Sequence, residues 1–229
     1  MFSLEGVTKT YSGRRGSVDA LRDVTLTVDA GSFLTITGPS GSGKTTLLLT
    51  LGGLIRATSG RIGFKDTELS RLSEARLAEY RNRKVGFVLQ TFNLIPYLSA
   101  LENVMVPMVF ANGTTPRHSE RAMALLDRVG LADRENHLPR ELSVGQQQRV
   151  AIARALGNDP EVILADEPTG NLDPALSRGI LSILRELNEK EGRTVVMVTH
   201  SPEAAQMGSH HLRLEEGRCV GIDGLGTRG

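Results

Sequence analysis

The chain has 229 residues, enough for one large domain or two small lobes around a buried core. Its 27 Lys and Arg balance 26 Asp and Glu, so no basic excess points to nucleic acid and no acidic tail points to disorder. The single cysteine, Cys219, excludes an internal disulfide and fits a reducing compartment. Met1 leads straight into an alternating, strand-like stretch with no signal-peptide pattern. No apolar run reaches the roughly 18 residues that span a bilayer. A cytoplasmic protein is expected, with any membrane work done through a partner.

In chain order, Val24-Thr25-Leu26-Thr27-Val28 alternates as a sheet exposed on one face. A compact strand, Phe33 to Thr37, runs into a glycine-rich turn and an apolar helix through Leu47, Leu48 and Leu51. Val85 to Leu89 predicts a buried strand. From about 99 to 156 the pattern is mostly helical, with Ala122, Leu125, Leu126 and Val129 at i, i+3, i+4, i+7 spacing. Strand signals return at Val162 to Ala165 and Thr194 to Val198, flanking a helix with Ile180, Ile183, Leu184 and Leu187 on one face. Leu212 to Ile222 predicts a hairpin turning at Glu216-Gly217. Strands alternating with helices imply a mostly parallel sheet with crossover connections. The expected fold is thus an α/β core, an antiparallel N-terminal sheet and an inserted helical subdomain.

Gly38-Pro39-Ser40-Gly41-Ser42-Gly43-Lys44-Thr45 matches the phosphate-binding pattern G-x-x-x-x-G-K-[ST], and Thr46 follows. Glycines let such a turn aim backbone N–H groups at phosphate oxygens, and the helix opening near Gly43 adds its positive end. Lys44 is placed to reach the β- and γ-phosphates, and the Thr45 hydroxyl to ligate Mg²⁺. Val162-Ile163-Leu164-Ala165-Asp166-Glu167 is an apolar strand ending in two acids, at the strand end where open α/β sheets bind ligands. Asp166 is a candidate to hold Mg²⁺ through its water shell, and Glu167 a candidate general base toward the attacking water. His200 and Gln90 end two further strands: the first could orient the water at the γ-phosphate, the second could sense Mg²⁺ and the water. Alone, either is also an ordinary polar strand terminus.

The order of these elements is informative. Leu142-Ser143-Val144-Gly145-Gln146, followed by Gln147-Gln148-Arg149-Val150-Ala151-Ile152-Ala153-Arg154-Ala155-Leu156, resembles the signature sequence and following helix of ATP-binding-cassette (ABC) proteins. Together with the phosphate loop, Gln90, the acidic strand, Asn171-Leu172-Asp173 and His200, the resemblance spans essentially the whole chain. It implies a P-loop NTPase of the ABC ATPase type forming a single domain, 1–229. The core lies at about 1–90 and 157–229, and the helical signature subdomain at about 91–156. It implies ATP and Mg²⁺ as ligands, and a head-to-tail homodimer in the ATP-bound state. Ser143, Gly145 and Gln146 would serve the opposite subunit's ATP, Asp173 would link the two sites, and Tyr11, near Val18, would stack on adenine. Val144 stands where the family most often has glycine, a costly exchange if that position needs positive φ.

The stretch Gln90-Thr91-Phe92-Asn93-Leu94-Ile95-Pro96, with Leu98 to Val104 and Pro168 to Asp173, is similar to ATPases of lipoprotein-release, macrolide-export and cell-division complexes. That branch implies an ATPase at the cytoplasmic face of the inner membrane, bound to integral-membrane permease subunits. Phe92, Leu94 and Ile95 are then expected as exposed apolar residues that receive a partner helix, or as ordinary packing under the helical lobe. A DNA-repair ATPase would carry a long coiled coil, and no sustained heptad run is present. A translation-factor ATPase would hold two cassettes. Signalling through a membrane partner without transport stays open as the alternative.

Overall fold

The computed structural model describes residues 1–13 and 16–223. Two strands open the chain, β1 (Phe2–Gly13) and β2 (Gly16–Val28), followed by β3 (Phe33–Thr37) and α1 (Lys44–Leu51). Then come β4 (Ser59–Phe64), β5 (Thr67–Glu68), α2 (Glu74–Lys84) and β6 (Val85–Val88). Three helices follow: α3 (Ala100–Asn112), α4 (Pro116–Arg128) and α5 (Val144–Ala155). The chain ends with β7 (Val162–Asp166), α6 (Pro174–Glu189), β8 (Thr194–Val198), α7 (Pro202–Ala205), β9 (His210–Glu215) and β10 (Arg218–Asp223).

The strands form two sheets. An antiparallel one has the order β2-β1-β4-β5; the other has the order β10-β9-β3-β8-β7-β6 and is parallel except for the β9–β10 hairpin at its edge. Strands buried on both faces read as continuous apolar runs, which is how β7 and β8 read. Their alternate residues feed two different cores. Leu34, Ile36, Val162, Leu164, Val196 and Val198 face α1 and the antiparallel sheet. Phe33, Ile163, Ala165, Val195 and Met197 face the other way, toward α3–α6. Each fully buried Val, Leu or Ile contributes about 1.5–3 kcal/mol over exposure, and the parallel sheet collects such residues on both faces. A shift of one residue in any of these strands would exchange the two cores, which pins the register. The turns at the carboxyl ends of β3, β6, β7 and β8 are therefore held on a rigid platform.

α5 starts with a capping box. Ser143 Oγ accepts from the Gln146 N–H at 3.3 Å, and Gln146 Oε1 accepts from the Ser143 N–H at 2.9 Å. A single buried side chain, Asn103 on α3, shapes the loop before that helix. Its amide donates to the carbonyls of Ile95, Leu98 and Ser99 at 2.9–3.2 Å, and its oxygen accepts from the Ile95 N–H at 2.8 Å. The loop is thereby folded in. Phe92, Leu94 and Ile95 are half-buried rather than exposed, and Leu94 packs against the α3–α6 core.

Candidate functional site

The turn after β3 wraps the start of α1. Gly43, at φ 101, caps that helix in a left-handed conformation, and a Cβ there would lie 2.1 Å from the Ala20 carbonyl. Gly38, at φ 144, is equally constrained, 2.0 Å from the Leu214 carbonyl. Only glycine fits either position. The turn closes on Lys44, whose Nζ donates to the carbonyls of Gly38 at 2.9 Å and Pro39 at 2.8 Å. An ammonium has three N–H groups, so one remains to meet a phosphate oxygen. Burial pushes the Lys44 pKa down, while the charges of Glu167 and Asp166 oppose that shift.

A cavity of about 540 Å³ opens beside this turn. Ser40 through Thr46 line it, together with Gln90, Asp166, Glu167 and His200. Thr45 Oγ1 donates to Asp166 Oδ1 at 3.1 Å, so the hydroxyl from α1 and the carboxylate from β7 share one corner. Burial raises the Asp166 pKa, with the Thr45 hydrogen bond and the Lys44 charge acting against it. Glu167 sits just past the strand at φ 46, where its N–H donates to the Val198 carbonyl at 3.0 Å. Its Oε2 accepts from the His200 N–H at 3.3 Å. Its Oε1 is buried with no hydrogen-bond partner among the described residues, and His200 Nε2 lies 3.5 Å from it. Burial raises the Glu167 pKa as well, ahead of the lowering effect of His200.

These residues fit a magnesium nucleotide. An octahedral Mg²⁺ takes oxygen ligands at about 2.0–2.1 Å and keeps several waters and phosphate oxygens, so one hydroxyl and one carboxylate suffice from the protein. The cradle at Gly43, the unpartnered buried Ser42 hydroxyl and the buried carboxylate of Asp166 are what a bound polyanion and its cation would satisfy.

Other candidates lie outside this cavity. Ser143, Gly145 and Gln146 do not line it. Ser143 is exposed, whereas Gly145 is buried against Leu176 of α6. Val144 is helical, at negative φ and 46% exposed, so replacing glycine there stores no backbone strain. Tyr11 sits on the exposed β1–β2 hairpin opposite Val18, with the Lys9 ammonium 5.0 Å from its ring centre. Asp173 caps α6, accepting from the N–H groups of Ala175 at 2.9 Å and Leu176 at 3.0 Å.

Two residues escaped the motif reading. Gln148 of α5 is fully buried and donates to the Pro168 carbonyl at 2.8 Å, just beyond the acidic pair. Arg154, at the other end of α5, donates to the carbonyls after Gln90. The available signal was periodicity: Gln148 falls three and four residues before the buried Ala151 and Ile152, a polar group on an apolar helix face.

The ABC transporter family profile matches residues 21–170, which include the phosphate loop, the signature-like sequence and the acidic strand. The chain belongs to the ABC transporter family. An ABC transporter ATP-binding protein of Thermotoga maritima is 50% identical over 227 residues, 99% of this chain and 97% of that one. The macrolide export ATP-binding/permease protein MacB of Syntrophobacter fumaroxidans is 48% identical over 221 residues, 95% of this chain but 31% of MacB. Among solved structures, the dimeric ABC cassette MJ0796 superimposes with a TM-score of 0.92 at 42% identity, covering 99% of this chain and 100% of that one. The name also occurs on a Methanocaldococcus jannaschii ABC transporter ATP-binding protein 44% identical to this chain, 95% of this chain and 94% of that one. A second MJ0796 structure, equally similar, is a dimer in a post-hydrolysis state bound to ADP and Pi. The fold is that of an ABC ATPase, and the chain is an ABC transporter ATP-binding subunit.

Proposed function

We propose that this subunit hydrolyses ATP as a homodimer and drives separate integral-membrane permease subunits from the cytoplasmic face of the membrane. The observation that carries this is the convergence of Lys44, Thr45, Asp166, Glu167 and His200 on one cavity. The dimeric cassette structures support the homodimer, and the permease joined to its ATPase in MacB supports the membrane partner. Among the described residues, no helix is long and apolar enough to cross a membrane. The macrolide-export name of MacB supports export as the work done. Extraction of the lipoprotein-release type and peptide-type efflux rest only on the resemblance of the stretch after Gln90 and of Pro168 to Asp173. We divide the single domain into a core, about 1–90 and 157–229, and a helical signature subdomain at about 91–156, because α3–α5 enter between β6 and β7.

In this reading the backbone of residues 38–46 and the Lys44 ammonium hold the phosphates, and Thr45, Asp166 and Gln90 hold Mg²⁺. Mg²⁺ held there would supply positive charge toward the phosphates. Glu167 is aimed by its anchored oxygen: His200 N–H holds Oε2, which leaves Oε1 to accept a proton from water. A carboxylate made more basic by burial is the better acceptor. Water attacks the γ-phosphorus, the bond to ADP breaks, and the water proton passes to Glu167. His200 faces the same oxygen and steadies the water. Ser143, Gly145 and Gln146 present the N-terminus of α5 to the ATP of the second subunit, and Tyr11 stacks on adenine.

The test is Glu167→Gln. Removing a general base costs about 10²- to 10⁴-fold in turnover while leaving the phosphate contacts in place. The variant should retain ATP and accumulate a dimer on Mg-ATP addition, seen by sizing with light scattering. Normal hydrolysis, or a variant that stays monomeric with bound ATP, would remove Glu167 from this role.

A further inference from the structure

α5 spans about 18 Å as a single rod of 12 residues. Its first turn follows Ser143 and contains Gly145 and Gln146; its last turn carries Arg154. The Arg154 guanidinium donates from Nη1 to the Asn93 carbonyl and from Nη2 to the Phe92 carbonyl, both at 2.6 Å. Those two residues have φ 48 and 28, left-handed values that side chains other than glycine hold only under constraint. They lie two and three residues after Gln90. Among the described residues no carboxylate lies within 4.0 Å of Arg154, so the two carbonyls are its polar partners. The same helix grips the turn after the acidic pair through Gln148, and Asn171 of that turn donates to the Gln90 carbonyl at 3.3 Å.

We propose that Arg154 is a positioning residue for Gln90. Its planar fork locks the left-handed turn at Phe92–Asn93, so that α5 and the Gln90 loop move as one piece. This rests on the reading of the cavity as a hydrolytic ATP site and of the active form as a homodimer. In that dimer the N-terminus of α5 meets the second subunit's ATP, while its C-terminus sets Gln90 at its own. A displacement of α5 at one site is thereby delivered to the other through one guanidinium. Arg154 also lines the groove between α2 and α3, within reach of anything docked there.

The experiment compares Arg154→Gln, Arg154→Lys and Asn93→Gly, singly and combined. None of them touches the phosphate loop, so ATP affinity by titration calorimetry should stay within about twofold, while kcat falls about 10- to 100-fold for Arg154→Gln. Lysine keeps the charge and its N–H donors but lacks the rigid planar fork that matches the two carbonyls, so it should fall between glutamine and arginine. Glycine holds positive φ without help, so adding Asn93→Gly to Arg154→Gln should restore several-fold of the lost turnover. The chain contains no tryptophan, so Phe92→Trp supplies a unique fluorophore. Its emission should shift on Mg-ATP addition when Arg154 is present and stay unshifted when Arg154→Gln is added. Equal losses in affinity and kcat, no rescue by glycine, or a fluorescence response in either Arg154 variant equal to that with arginine would overturn the proposal. Should Arg154→Gln fail to fold, the lysine variant carries the same comparisons. A wild-type protein that binds ATP without turnover would instead overturn the hydrolytic reading, and the fluorescence response would still decide whether Arg154 holds the loop.

Discussion

Asp166 and Glu167 stand side by side at the end of β7, and burial raises the pKa of both. The folded protein therefore binds their protons more tightly than the unfolded chain does. By linkage, the stability they contribute is present below the ordinary carboxylate value of about 4 and is lost as pH rises through the raised folded values. Above those raised values the ligand-free protein carries the full penalty of the buried charges. Asp166→Asn removes one of the two charges and keeps an acceptor for Thr45. Without nucleotide, its Tm at about pH 7.5 should exceed that of the wild type by a few degrees, and the gap should close toward pH 4. Mg-ATP should reverse the order, because only the wild type keeps the carboxylate that we propose as a holder of the cation. Thermal unfolding at both pH values, with and without Mg-ATP, checks this. A lower Tm for the variant at neutral pH without ligand would show that the carboxylate is already well satisfied.

The first turn of α5 puts two neighbouring residues in opposite situations. Val144 is exposed, at negative φ, and touches no strained backbone, whereas a Cβ on Gly145 would lie 2.9 Å from a Leu176 methyl of α6. Val144→Gly should leave phosphate release within about threefold and cost only a few tenths of a kcal/mol in helix propensity. Gly145→Val should force α5 and α6 apart and cost about 1–3 kcal/mol, lowering both Tm and turnover. A more than tenfold faster Val144→Gly would mean that valine obstructs the signature. The elements themselves were legible: β3, β7 and β8 are short apolar runs ending at turn or acidic residues, and α6 shows its stripe plainly. Strand partners were not, because periodicity carries no information about which strand a strand meets. The pairing of β1 with β4, across the whole of β2, β3 and α1, is of that kind. α2 was also silent, since Glu74 to Lys84 bury only Leu77 and Tyr80 amid charges. In the site, the residues that act through side-chain chemistry in a fixed motif were readable. Gln148 and Arg154 were not singled out, because their role is to hold backbone carbonyls that only the folded chain brings near. Of the two expectations for Phe92, Leu94 and Ile95, the half-buried state lies nearer to packing under the helical lobe. Sequence left the choice open for a similar reason: Asn103, a polar residue in a helix, is buried and folds their loop inward.

At the scale of the molecule, a larger cavity than the nucleotide site lies on another face. About 770 Å³ of groove opens between α2 and α3, floored by β6 and reached by the end of α5. It contains none of the catalytic candidates, so its size says nothing about chemistry. Its walls include Leu54, Ala78, Phe87, Val106 and Phe110, and Phe110 is 82% exposed. Arg81, Arg83 and Arg154 face it against the single acid Glu79. An apolar trough with a basic rim suits an amphipathic helix bearing an acidic residue, and in our reading that helix belongs to the permease. Tyr97, 77% exposed on the loop before α3, extends the apolar surface in sequence, but it does not line the groove. The expected result for Phe110→Asp and Leu54→Asp follows from their exposure. Surface substitutions of this kind change stability by about 0.5 kcal/mol or less, so the purified subunit should keep its Tm and its ATPase rate. Loss of an interface anchor costs about 2 kcal/mol or more at a hot spot, roughly a 30-fold loss in affinity, so both variants should fail to co-purify with co-expressed permease. Leu94→Asp is the contrast: it places a charge against the α3–α6 core and should lower Tm before it reports on any partner. If Phe110→Asp and Leu54→Asp still recover the permease in full, the partner docks on another face and the groove is empty surface.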